Sequence, residues 1–378
     1  MRKRWRDLPA FSQAATSAAN ASDPMAITSL RAWRLREPVS QRRYTVIRIE
    51  TRGGVTGYGE GGPVKGADIA DIRSAVIGRL ASDQELIRLR LAGWPALEAA
   101  VNNALFDVLG KATKTPVYQF LGGPVRYKAR VLAHLEGGDT EALVASLRRA
   151  QQAGFKAFCF PIPPWPEMPR LQSYTDSVRE RYDRLRAAGG EDADFVLDAS
   201  GSLRPGDAAS LATAFEREHP LWFDEPTDVL TNDALAKISA ESVLPVGAGR
   251  RLHDVADFQN LLRGHSVGIV RPSLGLNSLL KIKRMAALAE VDYVAVAPHH
   301  SGGPIGTVGG IHLGASLANF FIQQVPRPAA AQDRAMRAEL ASGDYETAQD
   351  GYAPLINKPG LGIEVNEQSL AKYSEETI

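Results

Sequence analysis

One cysteine, Cys159, stands among 378 residues, so no internal disulfide can staple this chain. There is no run of 18 apolar residues, which excludes a candidate transmembrane helix and gives no reason to expect a membrane partner. Neither charge is in excess. Lys and Arg total 44 and Asp and Glu total 43, and a net charge of +1 argues against a general polyanion binder. The arginines are dispersed and form no basic stripe interleaved with aromatics, so no nucleic-acid partner is expected. G-x-S-x-G, H-E-x-x-H, a Walker loop and C-x-x-C are all missing.

What is present is a soluble globular composition, with 44% hydrophobic and 23% charged residues. That is enough apolar side chain for a large core, and it excludes disorder through most of the chain. The length allows two or three domains, or one barrel with an added domain. Residues 1–24 carry four cationic side chains in their first six positions. They lack the continuous apolar stretch of a secretory signal and read as a flexible N-terminal extension, with the cytoplasm as the default compartment.

Two textures follow. Residues 25–130 read as α+β. AITSLRAWRLRE and RYTVIRIETRGG are strand-like, and Gly53–Gly54 signals a hairpin turn. ALEAAVNNALFDVLGKA puts Leu97, Val101, Leu105 and Leu109 on one helix face. Residues 131–330 alternate strand and helix. Apolar runs end at Cys159, Asp198, Glu225, Arg250, Ser273, His299 and Gln324, most of them about 25 residues apart, one strand plus one helix. With a first strand at ARVLAHLE the count reaches eight, which predicts a closed parallel (β/α) barrel. An open doubly wound sheet would want a G-x-G-x-x-G after its first strand, and none is there. Residues 331–378 are charged and irregular and contain YAPLINKPGLGIEVNE, read as a strand returning to the N-terminal domain.

Barrel enzymes carry their chemistry at the C-terminal ends of strands. Asp198 and Glu225 end consecutive strands, and two carboxylates meeting at a barrel mouth suit a hard divalent cation. Each acid alone equally reads as a helix cap or a surface group. His299 can be a general base or a hydrogen-bonding rim residue. Cys159, at the end of an apolar run, reads as a small buried hydrophobe.

In VIRIETRGGVTGYGE, ALFDVLGKATKTPVYQFLGGPVR, FVLDASG, WFDEP, PVGAGRRL, VAPHHSGGPIG, NFFIQQ and NKPGLGIEV, the chain resembles the enolase superfamily. Within it, the chain resembles the mandelate racemase and muconate-lactonizing branch and its galactonate dehydratase-like sugar-acid dehydratases. The resemblance implies an α+β capping domain over a modified (β/α)8 TIM-like barrel, completed by the C-terminal segment. Cap loops around Glu37–Arg43 and Gly59–Lys65 would select the substrate. It implies Mg2+ held by three strand-end carboxylates and a base that removes the proton α to a carboxylate. Asp198 and Glu225 match the first two metal ligands and His299 matches the base.

The remaining positions depart from the pattern. Arg250, in Ala-Gly-Arg-Arg, stands where the third acid is expected. Cys159-Phe160-Pro161 replaces the catalytic lysine of the second strand, and Ser200 replaces an acid histidine. Ser273 stands for the aspartate that orients the base, and Gln324 for the eighth-strand glutamate. Three acids with Mg2+ sum to −1, and so do two acids with one guanidinium. The planar fork of Arg250 suits carboxylates. Mg2+ about 4 Å from it would meet roughly 8 kcal/mol of repulsion at an effective dielectric of about 20.

Mg2+, expected from the family, is therefore predicted weak or absent here. The expected function is a non-catalytic or repurposed binder of a small carboxylate or sugar-acid ligand. The alternative is an active lyase or isomerase with His299 as base, metal-independent or Mg2+-dependent. The resemblance also implies a homo-oligomer.

Overall fold

The β-branched and aromatic segments form β1 (Ile27–Arg36), β2 (Arg43–Thr51) and β3 (Thr56–Gly61). This computed structural model describes residues 22–166 and 170–377. The extension read in residues 1–24 therefore lies, but for its last three positions, outside the described residues. Gly54, at φ +76°, turns β2 back onto β3. Helices α1 (Gly66–Val76), α2 (Gln84–Arg90) and α3 (Pro95–Ala112) follow, the last opened by a proline where a missing N–H costs nothing. Leu97, Val101 and Leu105 are buried along α3, and Leu109 packs beside them.

A single turn, α4 (Val117–Phe120), leads into the strand–helix repeat. It runs β4 (Lys128–His134), α5 (Thr140–Gln152), β5 (Ala157–Pro161), α6 (Leu171–Gly189), β6 (Asp194–Asp198), α7 (Pro205–Ala214) and β7 (Trp222–Asp224). It continues through α8 (Asn232–Ala240), β8 (Val246–Ala248), α9 (Val255–Leu262), β9 (Ile269–Val270), α10 (Leu279–Val291), β10 (Ala295–Val296), α11 (Pro304–Ser316) and β11 (Gln323–Pro326). Asp139, Thr231, Asp254 and Ser278 cap α5, α8, α9 and α10 by accepting from backbone N–H groups, which fixes where the helices start. The chain ends with α12 (Ala331–Leu340), β12 (Tyr352–Pro354), α13 (Glu367–Lys372) and β13 (Ser374–Thr377).

Strands β4 to β10 pair in parallel in chain order, and β11 pairs with the far edge of β4. A bridge from Val296 to Phe320, just before β11, brings the two edges together. The eight strands thus curl into the TIM-like barrel. Alternation sorts their side chains. Leu132, Ala157, Cys159, Val196, Trp222 and Ile269 form an inner cluster, while Phe158, Phe160, Phe195 and Phe223 face the helices.

The C-terminal segment differs from the sequence reading in one respect. Tyr352–Pro354 pairs with β4 of the barrel, and the strand that joins the cap is Ser374–Thr377, antiparallel to β1. That last strand is charged and exposed, so no apolar alternation marks it.

In the cap sheet, ordered β13-β1-β2-β3, strands β1 to β3 pack on both faces. Tyr44 and Val46 join the large core shared with the barrel, and Ile47 and Ile49 face the cap helices. Gly57, Gly59 and Gly61 line one face of β3 and lie against Ala104, Ala100 and Ala96, one helical turn apart on α3. A Cβ on Gly59 would sit 2.0 Å from the Ala100 carbonyl oxygen.

Buried carboxylates fasten the cap to the barrel. Glu60 accepts from the N–H groups of Gly303 and Gly306 at the start of α11. Glu37 pairs with Arg337 of α12 at 2.5 Å, and Glu98 pairs with Lys281 of α10. Burial pushes the Glu60 carboxyl up to about 7, against the lowering effect of its two backbone donors.

Gly59→Ala should force α3 off the sheet and lower stability by about 3 kcal/mol. Thermal denaturation measures this, and an unchanged melting temperature would contradict the close packing. A carboxyl with a raised folded-state pKa binds its proton more tightly when folded, so its contribution to stability falls as pH rises from about 4.5 to about 7. Denaturant titrations of wild type and Glu60→Gln across that range should diverge by roughly 3 kcal/mol in slope-integrated stability. Parallel curves would mean that Glu60 is ionised in the folded state throughout.

Candidate functional site at the barrel mouth

The strand ends converge on a cavity of about 320 Å³ lined by Arg42, His134, Asp198, Arg250, His299 and Gln324, among others. Arg42 comes from the cap loop after β1 and pairs with Glu136 beyond β4. Its Nη1 lies 3.7 Å from Glu37 and makes no hydrogen bond.

Asp198 ends β6 and is buried. Its Oδ1 accepts from the Ser200 N–H at 2.7 Å and from the Ser200 hydroxyl at 3.1 Å. Its Oδ2 accepts from Arg250 Nη1 at 3.0 Å and lies 3.5 Å from His134 Nε2. Burial alone would raise this carboxyl, but His134 and Arg250 outweigh it and hold it well below the usual carboxylate range. Burial would likewise lower the Arg250 guanidinium, and Asp198 and Asp224 together reverse that.

Asp198 and Glu225 are therefore both tied to Arg250, but through different atoms. Glu225 lies past the end of β7 with φ +44°, and its Oε1 accepts the backbone N–H of Arg250 at 2.8 Å. Burial and the neighbouring Asp224 charge raise its carboxyl. The acid that β7 turns into the barrel is Asp224. Its carboxylate takes Arg271 through Nε at 2.8 Å and Nη2 at 3.2 Å, and lies 3.9 Å from Arg250 Nη1. Arg271 is fully buried, with its guanidinium 5.1 Å from the centre of the Trp222 ring. It also donates to the Ala297 carbonyl and to Gln324 Oε1 at 2.7 Å, so Gln324 is part of this network.

The remaining candidates are placed as follows. His299 borders the cavity, and its backbone bridges Ser273, but its Nδ1 has no hydrogen-bond partner. Ser273 does not orient the ring. Burial, then Arg271 and Arg250, push the His299 imidazole well below its ordinary range, so it is neutral near pH 7. His300 meets the Gly303 carbonyl through Nε2 at 2.8 Å, which puts its proton on that nitrogen. Cys159 is buried inside the barrel, where burial and then the Asp198 and Asp224 charges push its thiol well up.

Sequence reasoning missed His134, Asp224, Arg271 and Arg42. The period of two within WFDE would have paired Asp224 with inward Trp222 and left Glu225 outside the strand. A fully buried arginine carries no comparable mark in sequence.

Comparison with known proteins agrees with this architecture. Residues 142–369 match the model for enolase C-terminal domain-like proteins. Residues 26–122 match the mandelate racemase / muconate lactonizing enzyme N-terminal domain. The chain is 30% identical to a D-galactonate dehydratase of Verminephrobacter eiseniae, over 93% of this chain and 95% of that protein. It is 28% identical to the D-galactonate dehydratase of Pectobacterium atrosepticum, again over 93% and 95%. The fold superposes on a putative dehydratase of Zymomonas mobilis with a TM-score of 0.83 at 22% identity, covering 93% of this chain and 99% of that one. A mandelate racemase/muconate lactonizing enzyme-like protein from Rubrobacter xylanophilus gives 0.82 at 24%, covering 94% and 98%. The chain belongs to the mandelate racemase/muconate-lactonizing family of the enolase superfamily, and among its curated relatives it is galactonate dehydratase-like.

Proposed function

We propose that this chain binds a small carboxylate or sugar acid at the barrel mouth without Mg2+, and that the Arg250 guanidinium supplies the positive charge a metal would bring. The observation that carries this reading is the 3.0 Å contact from Arg250 Nη1 to Asp198 Oδ2, made while the Arg250 N–H holds Glu225. Mg2+ requires an octahedron of oxygens at about 2.0–2.1 Å. Here the position of the third acid holds a cation, and both Asp198 oxygens already have partners. These residues do not fit Mg2+.

The rest of the mouth supports binding rather than proton abstraction. A cavity of about 320 Å³ suits a small ligand. Arg42 and Arg250 offer planar donors for a carboxylate at its rim. The base is weak, because burial and then two guanidinium groups oppose the imidazolium that His299 would become. No lysine stands at the end of β5, where Cys159-Phe160-Pro161 is found.

One feature favours a second reading, a lyase or isomerase that takes the proton α to the ligand carboxylate. Neutral His299 shares the cavity with Arg250, which could stabilise the developing negative charge in place of a metal.

Titration calorimetry separates these readings. Wild type should give no Mg2+ binding heat at millimolar concentration, and Arg250→Glu should gain it. Micromolar Mg2+ binding by wild type, lost in Asp198→Ala, would refute the metal-free reading. Acidic sugars should bind wild type, and Arg250→Gln should weaken them at least tenfold, about 1.4 kcal/mol. Deuterium uptake from heavy water at the α carbon, lost in His299→Ala, would establish the second reading instead.

A further inference from the structure

Beside Asp198, the strand ends hold two side chains that the Arg250 reading leaves unused, His134 and Cys159. His134, Cys159 and Asp198 come from three successive strands, β4, β5 and β6. One donor atom from each, a ring nitrogen, the thiol sulfur and a carboxylate oxygen, lie within 4.8 Å of one another. Strand register builds the group. His134 pairs directly with Cys159, while Cys159 pairs with Val196, two residues before Asp198 and on the same inward face. Among the described residues no other three His, Cys, Asp or Glu side chains converge in this way.

The separation of His134 from Asp198 fits two ligands of a shared ion better than it fits a hydrogen bond. His134 Nε2 lies 3.5 Å from Asp198 Oδ2, beyond a normal hydrogen bond. Two nitrogen or oxygen ligands on one tetrahedral zinc, each at about 2.0–2.1 Å, are about 3.3 Å apart, and a sulfur ligand at about 2.3 Å stands roughly 3.6 Å from either.

We propose that His134, Cys159 and Asp198 form a binding site for a borderline-soft divalent cation, Zn2+ or its spectroscopic substitute Co2+. The donor set of one nitrogen, one thiolate and one carboxylate selects such ions over Mg2+, which takes oxygen ligands. On binding, a metal–sulfur bond forms, the S–H bond breaks and its proton goes to solvent. Neutral His134, the thiolate and the Asp198 carboxylate carry −2 against the ion's +2, so the core of the site is neutral. Three protein ligands leave a fourth position open, as in catalytic zinc sites, on the side of the cavity that His134 and Asp198 line. A small anion such as a carboxylate would occupy it. Arg250 uses the same Asp198 oxygen and therefore opposes the ion.

The single cysteine makes the test direct. The full-length protein, purified without an affinity tag, is titrated with Co2+ while the near-ultraviolet thiolate-to-cobalt band is followed. One equivalent should produce the band, and Zn2+ should displace it while Mg2+ in excess does not. Cys159→Ser should abolish it. His134→Gln, at a half-buried rim position, should weaken binding at least tenfold, and Arg250→Gln should tighten it by a similar factor. Circular dichroism confirms that each variant is folded. Absence of the band in folded wild type would overturn the site, as would undiminished binding by His134→Gln. The Mg2+ calorimetry above has a separate readout, so either result can fail without the other.

Discussion

Two guanidinium groups held inside a barrel organise this protein's functional end. Arg271 and Arg250 share Asp224 between them, and Arg250 continues to Asp198. Charges removed from water must be paired, and removing one partner leaves the other exposed to the low dielectric alone. Each acid and each arginine in this chain therefore fixes its neighbour. Gln324 and the Ala297 carbonyl complete the coordination of Arg271 and leave its charge no freedom to turn toward solvent.

That arrangement sets the chemistry available at the mouth. An oxygen-lined metal site concentrates negative charge from several carboxylates and answers it with a dication. Here the guanidinium groups of Arg250 and Arg271 lie directly against Asp198 and Asp224. Burial and then their positive field push the His299 ring well below its ordinary range, while His134 and Arg250 depress the Asp198 carboxyl. On the proposed reading, a mouth built this way favours an incoming anion. Cap and barrel support it together. Glu60 and Glu98 reach from the cap to α11 and α10 of the barrel, Glu37 reaches α12 of the C-terminal segment, and Arg42 of the same cap lines the cavity.

The fold was legible because its signals are local. Short apolar runs at regular intervals, with helix caps at Asp139, Thr231, Asp254 and Ser278 between them, specify repeated strand–helix units. The glycines at 57, 59 and 61 gave no warning of their purpose. Their role depends on where α3 comes to lie, and that follows from packing between segments some 40 residues apart. The strand returning to the cap was placed too early, because Ser374–Thr377 pairs through its backbone and presents only polar side chains.

Residue types and their spacing predict a (β/α) barrel beside an α+β domain, and the family resemblance adds that this domain is a cap, that Arg250 stands at the third acid's position and that Ser273 stands at the aspartate's. Periodicity and residue identity are properties of the chain, and they survive without coordinates. Only the folded molecule decided that Asp224 rather than Glu225 turns inward, that Arg271 is buried beneath the mouth, and that His134 and Cys159 meet Asp198. Those facts depend on the register between neighbouring strands and on the closure of the barrel, which bring together side chains from segments about 25 residues apart or more.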